Sequence, residues 1–178
     1  MQALEFAILD GIQSGCRCAF LDAVLPVITA LSNHGEIWIL LAAVLLLIPK
    51  TRRAGAVLAL ALVLDLILCN GILKPLIARA RPCDLNPAVR LLIPRPGDDS
   101  FPSGHAAASF TAVGALRAAG SRLWIPAFAL ALVIAFSRLY LYVHWPSDVL
   151  AGALLGILLG FAAERIVRAW RQKRGLGA

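Results

Sequence analysis

Long apolar runs follow one another along the chain, and short polar breaks separate them. Residues 3–12 mix apolar and acidic positions at helical spacing, which predicts a short helix lying in a membrane interface. The later runs predict six membrane-spanning helices, at 18–31, 37–48, 54–73, Pro102 to about Ala119, about Leu123 to Leu141, and Pro146 to about Trp170. The first two runs are shorter than the ~20 residues that a full crossing requires.

The polar breaks differ in length. Turns are predicted at 32–36 and 120–122, a basic loop at 49–53 and a short break at 142–146. The segment 77–101 is the longest without helical character and carries several prolines and charges. Long irregular segments often hold functional residues, so this one is a candidate. Within this segment, the pattern predicts no role for residues 83–101.

Composition strengthens the membrane interpretation. The chain has 178 residues, of which 60% are hydrophobic and 15% charged, and its mean hydropathy is +0.82. These values predict an all-α integral membrane protein, with residues 1–178 forming a single domain. The formal net charge is +7, but no basic run alternates with exposed aromatic residues, so a nucleic-acid partner is not expected.

The basic residues also predict an orientation. Ten of them fall in or near the 49–53 loop, the 120–122 turn and the C-terminal tail. With six spans these regions share one side, which the positive-inside rule makes cytoplasmic. Both termini are then expected in the cytoplasm, and the loop 77–101 and the break 142–146 on the opposite side.

Three short motifs lie at the ends of spans that meet on that opposite side. They are K-x6-R-P, with Lys74, Arg81 and Pro82; P-S-G-H at residues 102–105; and S-R-x5-H-x3-D from Ser137 to Asp148. Ionisable residues at membrane depth are expensive and usually functional. We therefore expect the three motifs to form one site.

The residue types suit phosphoryl transfer. Lys74, Arg81 and Arg138 can neutralise a phosphate dianion. The hydroxyl of Ser103 and the backbone N–H groups near Ser103 and Gly104 add donors at a helix start, where Pro102 is expected in the first turn.

The two histidines of the motifs supply the remaining chemistry. Asp148 lies four residues after His144 and can hold its ring so that the other nitrogen attacks. His105, on a different span, can protonate the leaving oxygen. No metal or cofactor is required, because protein cations stabilise the charge.

Simpler explanations exist for each residue taken singly. Interfacial histidines are usually structural, arginines near membranes are often anchors, and a His–Asp pair can be half of a metal site. The common location of all the motifs favours the functional interpretation.

Other polar residues are less informative. His34 is interpreted as a turn residue, and Asn70 is one turn before Lys74 and can support it. The acids at 22, 36 and 65 have no assigned role, although Asp65 lies inside a predicted span. The cysteines at 16, 18, 69 and 83 are interpreted as free or buried thiols.

The three motifs resemble the signature motifs of the type 2 phosphatidic acid phosphatase superfamily. The resemblance covers residues 74–148 with every motif position filled. It implies a six-helix bundle in a bacterial inner membrane, opening toward the outer leaflet. It implies that His144 is a nucleophile forming a phosphohistidine, that Asp148 orients it, and that His105 is first an acid and then a base. Lys74, Arg81, Ser103, Gly104 and Arg138 would bind the phosphate.

The resemblance leaves the lipid open. Undecaprenyl diphosphate is the first choice, and phosphatidylglycerophosphate, phosphatidic acid and lipid A are alternatives. A hypothesis from another class is a non-catalytic protein that binds or transports lipid phosphates. The sequence predicts no oligomeric state.

Overall fold

A computed structural model describes residues 2–175 of the chain. All regular secondary structure in this range is helical, which confirms the all-α prediction. The elements are α1 Gln2–Cys16, α2 Ala19–Ala30, α3 Glu36–Leu47, α4 Arg52–Asp65, a π-helix Leu66–Leu73, α5 Lys74–Ile77, α6 Pro82–Leu85, α7 Gly104–Ala118, α8 Trp124–Tyr140 and α9 Pro146–Lys173.

Within residues 2–175, two helical segments are long and apolar enough to cross a membrane. They are Arg52–Leu85, which contains α4 and the π-helix, and Pro146–Lys173. Three further apolar helices are shorter, namely Ala19–Ala30, Glu36–Leu47 and Trp124–Tyr140. The predicted number of six spans is therefore not confirmed.

α7 is the central helix, and α9 packs along it at very short range. A Cβ atom at Gly152 would lie 2.6 Å from the carbonyl oxygen of Ser103, and Cβ atoms at Gly156 and Gly160 would overlap the backbone of Ala107 and Ala115. Glycines repeated at every fourth position allow membrane helices to approach this closely. This repeat is visible in the sequence, and it fixes the spacing between the first turns of α7 and α9.

α1 and α2 lie at one end of the bundle, where α8 ends and α9 begins; we call it the site end. The hydroxyl of Tyr140, in the last turn of α8, donates to Asp22 Oδ1 at 2.7 Å. Arg138, in the same turn, donates to Thr29 Oγ1 at 2.7 Å. Both ends of α2 therefore contact the same turn of α8. Asp22 and Thr29 are seven residues apart, so Thr29 would lie about 10 Å deeper than Asp22 if α2 ran down the bundle.

These contacts correct two predictions. Residues 18–31 do not cross the bundle, because Asp22 and Thr29 are both held by polar groups at the site end. The N-terminal helix does not lie at the end opposite the site either, because Glu5 Oε1 accepts a hydrogen bond from Ser147 Oγ at 2.5 Å. The far end of the bundle contains the start of α4 and the second half of α9, where Arg53 pairs with Glu164 at 2.8 Å.

Candidate active site

The predicted site residues come together around one cavity of about 1170 Å³ at the site end. The catalytic candidates His105 and His144 line it. The phosphate-binding candidates Lys74, Arg81, Gly104 and Arg138 line it as well. Ser103 and Asp148 are fully buried behind its wall. Residues from four separate helices and from the 142–146 break thus meet within one space.

His144 lies in the break between α8 and α9 and is 1% exposed. Its Nε2 is 3.0 Å from Arg81 Nη1, and its Nδ1 faces Asp148 Oδ2 at 3.5 Å. Burial and the positive charge of Arg81 lower the pKa of His144 well below its ordinary value. A neutral ring with Nδ1 protonated leaves the Nε2 lone pair available, as nucleophilic attack requires.

Asp148 is held more tightly by other groups than by His144. Its carboxylate accepts hydrogen bonds from Ser100 Oγ at 2.5 Å, from Arg79 Nη1 at 2.6 Å and from the Trp145 backbone N–H at 2.9 Å. The 3.5 Å separation from His144 Nδ1 exceeds an ordinary hydrogen bond, although such contacts often tighten when substrate binds. The carboxylate is therefore fixed before the substrate arrives.

Sequence reasoning missed Arg79, Ser100 and Glu5. Arg79 Nη2 pairs with Glu5 Oε2 at 2.6 Å, so α1 supports the residue that supports Asp148. Arg79 also stacks over the Trp145 ring, with 5.1 Å between its Cζ and the ring centroid. Arg79 lies inside the K-x6-R-P motif at an unspecified position, and its positive charge between the two motif cations was the available signal.

The two cations of the first motif are bound to a carboxylate of the long loop. Lys74 Nζ pairs with Asp98 Oδ2, and Arg81 Nη2 pairs with Asp98 Oδ1 at 2.8 Å. Burial raises the pKa of Asp98, but Lys74 and Arg81 outweigh it and lower that pKa to about 2. Asp98 is therefore a carboxylate at neutral pH and occupies the donors that we expect to bind phosphate.

His105 lies in the first turn of α7 and lines the same cavity. Its Nε2 is 3.3 Å from Asn33 Oδ1 and 3.5 Å from Arg138 Nη1. The Nε of Arg138 has no hydrogen-bond partner among the described residues. The ring of His105 is thus held by long contacts and faces open space.

The start of α7 differs from the prediction. The helix begins at Gly104, so Pro102 is not in its first turn. The Ser103 backbone N–H already donates to the Asp148 carbonyl at 3.1 Å and is not free for an anion. The buried Ser103 Oγ has no hydrogen-bond partner among the described residues. Gly104 and His105 are then the residues at the start of the helix whose backbone N–H groups are left as candidate donors.

Below the charged residues the cavity becomes apolar. Its wall there consists of α3, α4 and the first residue of the π-helix, with Ile39, Ala42, Leu46, Ala59, Leu62, Val63 and Leu66. The cavity thus joins a cationic pocket to an apolar groove, which suits a ligand with an anionic head and a hydrocarbon tail.

Three further predictions concern the turn residue His34, the support of Lys74 by Asn70, and the cysteines. His34 is in the turn before α3 and contacts Glu36 at 3.0 Å, which confirms its turn assignment. Asn70 makes no hydrogen bond to Lys74 among the described contacts, but its Oδ1 would lie 3.2 Å from a Cβ at Gly104. All four cysteines are free thiols, as predicted, and Cys69 and Cys83 are buried.

Comparison with known proteins agrees with this arrangement. The sequence pattern of the PAP2 superfamily matches residues 54–172. An undecaprenyl-diphosphatase of Sulfolobus acidocaldarius is 37% identical over 139 residues, covering 76% of this chain and 67% of that protein. A decaprenylphosphoryl-5-phosphoribose phosphatase of Mycobacterium tuberculosis is 33% identical over 174 residues, covering 91% of this chain and 90% of that protein.

The fold is also similar to that of a solved structure. The crystal structure of Aquifex aeolicus LpxE superposes with a TM-score of 0.78 and 30% sequence identity, covering 91% of this chain and 95% of that one. The family match spans well over half of the chain and includes all three motifs around the cavity. The chain therefore belongs to the PAP2 superfamily and is a membrane phosphatase that hydrolyses lipid phosphates.

Proposed function

We propose that this lipid phosphatase removes the terminal phosphate of a polyprenyl diphosphate, with undecaprenyl diphosphate as the first choice. The similarity to an undecaprenyl-diphosphatase supports this lipid class. Phosphatidylglycerophosphate, phosphatidic acid and lipid A are the alternative substrates. The product of the preferred reaction is a polyprenyl monophosphate, the form in which a cell-wall carrier lipid is reused.

The observation that carries the proposal is the continuity of the cavity. The same space is lined by His144 and Arg81 at one end and by Leu46 and Ala59 at the other. A phosphate bound beside His144 would therefore leave its hydrocarbon tail against α3 and α4, where burial of apolar surface stabilises the complex.

The first chemical step forms a phosphohistidine. Nε2 of His144 attacks the terminal phosphorus, the bond from phosphorus to the bridging oxygen breaks, and His105 gives a proton to the leaving oxygen where that oxygen needs one. Arg81 Nη1, which lies 3.0 Å from Nε2, is placed to donate to a phosphoryl oxygen as the charge moves. Lys74 and Arg138 bind the other oxygens.

The second step returns the enzyme to its starting state. His105 removes a proton from a water molecule, the water oxygen bonds to phosphorus, and the bond from phosphorus to Nε2 breaks. Inorganic phosphate leaves, and the proton on His105 is ready for the next cycle. Asp148 stabilises the charge that develops on the His144 ring.

Substrate entry requires a change at Asp98. Its carboxylate holds Lys74 and Arg81, so the phosphate must displace it or share these donors. Asp98 lies in a loop and its side chain is 57% exposed, so displacement needs little rearrangement of the core. We infer that the loop carboxylate keeps the two cations in place between turnovers.

We also propose that the cavity opens to the outside of the cell. The far end of the bundle carries the loop 49–53, the turn 120–122 and the basic end of α9, which the positive-inside rule makes cytoplasmic. α1 would then lie outside, next to the site. Cys16 and Cys18 are exposed, so a membrane-impermeant thiol reagent should label them in intact cells.

A labelling experiment checks this orientation. In a Cys16→Ser, Cys18→Ser background, labelling from outside should disappear, and a Gly175→Cys variant should be labelled only after the cells are opened. Labelling of Gly175→Cys from outside would reverse the proposed orientation.

The decisive test of function is phosphate release from purified lipids in detergent with EDTA present. The substrates are undecaprenyl diphosphate, phosphatidylglycerophosphate, phosphatidic acid and lipid A. Native protein and an Arg122→Ala control, in the turn at the far end of the bundle, should release phosphate, and His144→Ala should not. No release by folded native protein from any of these lipids would instead favour a binding or transport protein.

A further inference from the structure

The N-terminal helix places a buried carboxylate behind the active site. Glu5, in the first turn of α1, is 7% exposed. Its Oε2 accepts from Arg79 Nη2 at 2.6 Å, and its Oε1 accepts from the backbone N–H of Ser147 at 3.1 Å and from Ser147 Oγ at 2.5 Å. Burial raises the pKa of Glu5, but the hydrogen bonds from Ser147 and Arg79 outweigh it and lower that pKa. Glu5 is therefore a carboxylate at neutral pH, although it lies outside the residues that match the family.

The guanidinium of Arg79 lies between two carboxylates. Its Nη1 donates to Asp148 Oδ1 and its Nη2 donates to Glu5 Oε2, and both distances are 2.6 Å. One positive charge is thus divided between two negative charges. Because charges act strongly on each other in a buried site, the fully buried Asp148 keeps a negative charge that Arg79 only partly compensates.

This remaining negative charge faces the ring that we propose as the nucleophile. His144 Nδ1 is 3.5 Å from Asp148 Oδ2, the carboxylate oxygen that Arg79 does not hold. Attack through Nε2 leaves the ring positively charged, so a nearby negative charge stabilises the phosphohistidine. If Glu5 were neutral, Arg79 would be compensated by Asp148 alone, and the ring would lose part of this stabilisation.

The other charges around His144 reach it from different directions. The remaining charged or titratable side chains that act on this ring are Lys74, Arg81, Asp98, His105 and Arg138. Among the contacts described for residues 2–175, no ion pair or side-chain hydrogen bond joins any of them to Glu5 or Arg79. The path from Glu5 to the ring therefore runs through Arg79 and Asp148.

We propose that Glu5 is a positioning residue of this phosphatase, whose negative charge acts through Arg79 and leaves the Asp148 carboxylate free to stabilise the phosphohistidine. α1 is then part of the catalytic unit, although the signature motifs begin only at Lys74. This inference rests on the proposed function, because it requires His144 to be the nucleophile.

Glu5→Gln tests the charge, because it keeps the size of the side chain and an oxygen acceptor. The variant should lower kcat about tenfold. KM and the inhibition by inorganic phosphate should stay as in native enzyme, since Lys74 and Arg81 are untouched. The acidic limb of kcat/KM should shift to lower pH, whereas Arg79→Leu should shift it to higher pH. In an Arg79→Leu background, Glu5→Gln should have no further effect on kcat.

Asp10→Asn is the matched control on the same helix. Asp10 Oδ1 accepts a hydrogen bond from the Tyr142 hydroxyl at 2.7 Å, so it also joins α1 to the break between α8 and α9. This carboxylate has no described contact with Arg79. Asp10→Asn should therefore keep the native kcat and pH profile, which separates the charge of Glu5 from a general loosening of α1.

A small carboxylate added to Glu5→Ala gives a second, independent test. A cavity of about 510 Å³ is lined by Glu5, Arg79 and Ser147, so an acetate ion has a route to the vacated position. At constant ionic strength, acetate should raise the kcat of Glu5→Ala several-fold. Acetamide, which has the same shape without the charge, should not.

These experiments are run on undecaprenyl diphosphate, or on the lipid of the same panel that native enzyme hydrolyses fastest. The inference is overturned if Glu5→Gln keeps the native kcat, if it lowers kcat equally in the Arg79→Leu background, or if acetamide restores Glu5→Ala as well as acetate does. Failure of the proposed function is a different result, namely phosphate release that survives His144→Ala.

Discussion

The two histidines of the active site are held in different ways. His144 is buried, with contacts to Arg81 and Ser100 and a carboxylate behind it that has three closer donors. His105 has two long contacts, to Asn33 and Arg138. A nucleophile has to be aimed at one atom along one line, and small displacements are expensive. An acid that later becomes a base must serve a leaving oxygen and then a water, so a looser ring suits it.

The largest effect should come from removing either histidine, but with different dependence on the leaving group. His144→Ala should reduce kcat/KM by about 10⁴-fold or more for every substrate, because no bond to phosphorus can form. His105→Ala should cost about 10²-fold to 10⁴-fold with an alkyl phosphate. Its formation of phosphoenzyme should recover with an aryl phosphate, whose leaving group needs no proton. A burst assay with p-nitrophenyl phosphate measures this. Equal recovery of both variants would show that the two histidines do not differ in role.

The next effect tests the support behind His144. Arg79→Leu should reduce kcat by about 10²-fold, because Asp148 loses a donor at 2.6 Å and moves. Without Arg79 the Asp148 carboxylate is free to pair more closely with the His144 ring, so the acidic limb of the kcat/KM profile should shift to higher pH. Arg79→Lys should restore part of kcat. A fall in activity with an unchanged pH profile would reduce Arg79 to a residue that only supports folding.

A smaller effect is expected from Asp98, which pairs with Lys74 and Arg81. Asp98→Asn removes the carboxylate that pairs with Lys74 and Arg81, so inorganic phosphate should inhibit several-fold more strongly. Since the pKa of Asp98 is about 2, the difference between native enzyme and variant should persist from pH 5 to pH 8. Asp99→Asn, at the next acid of the same loop, is the matched control, because Asp99 contacts Lys74 and Arg81 through its backbone carbonyl. Weaker or unchanged inhibition in Asp98→Asn would show that the carboxylate does not compete with phosphate for the two cations.

The smallest effect should come from the long contact that Asn33 makes with His105. Asn33→Ala removes the 3.3 Å contact to His105 Nε2 and should lower kcat by about two- to fivefold. Steady-state kinetics on the preferred lipid measure it. A loss as large as that of Arg79→Leu would show that His105 is held as strictly as His144.

The sequence predicted which residues meet at the cavity better than it predicted the residues that support them. All three motifs reach one cavity, because each is a local pattern at a helix end and helix ends on one side must meet. Arg79, Ser100 and Glu5 were missed, since each acts through a neighbour that is distant in the chain. α2 was predicted to cross because its apolar composition resembles that of a span. Its polar contacts to the end of α8 became visible only in three dimensions.

The glycine face of α9 has a consequence for how this enzyme can change. Because Gly152, Gly156 and Gly160 bring α9 onto the backbone of α7, the separation between His105 and Asp148 is set by main-chain contact and not by side-chain size. The side chains of α3 and α4 that line the cavity take no part in that contact. New lipid preferences can therefore arise on the α3 and α4 wall while the reaction itself is inherited unchanged.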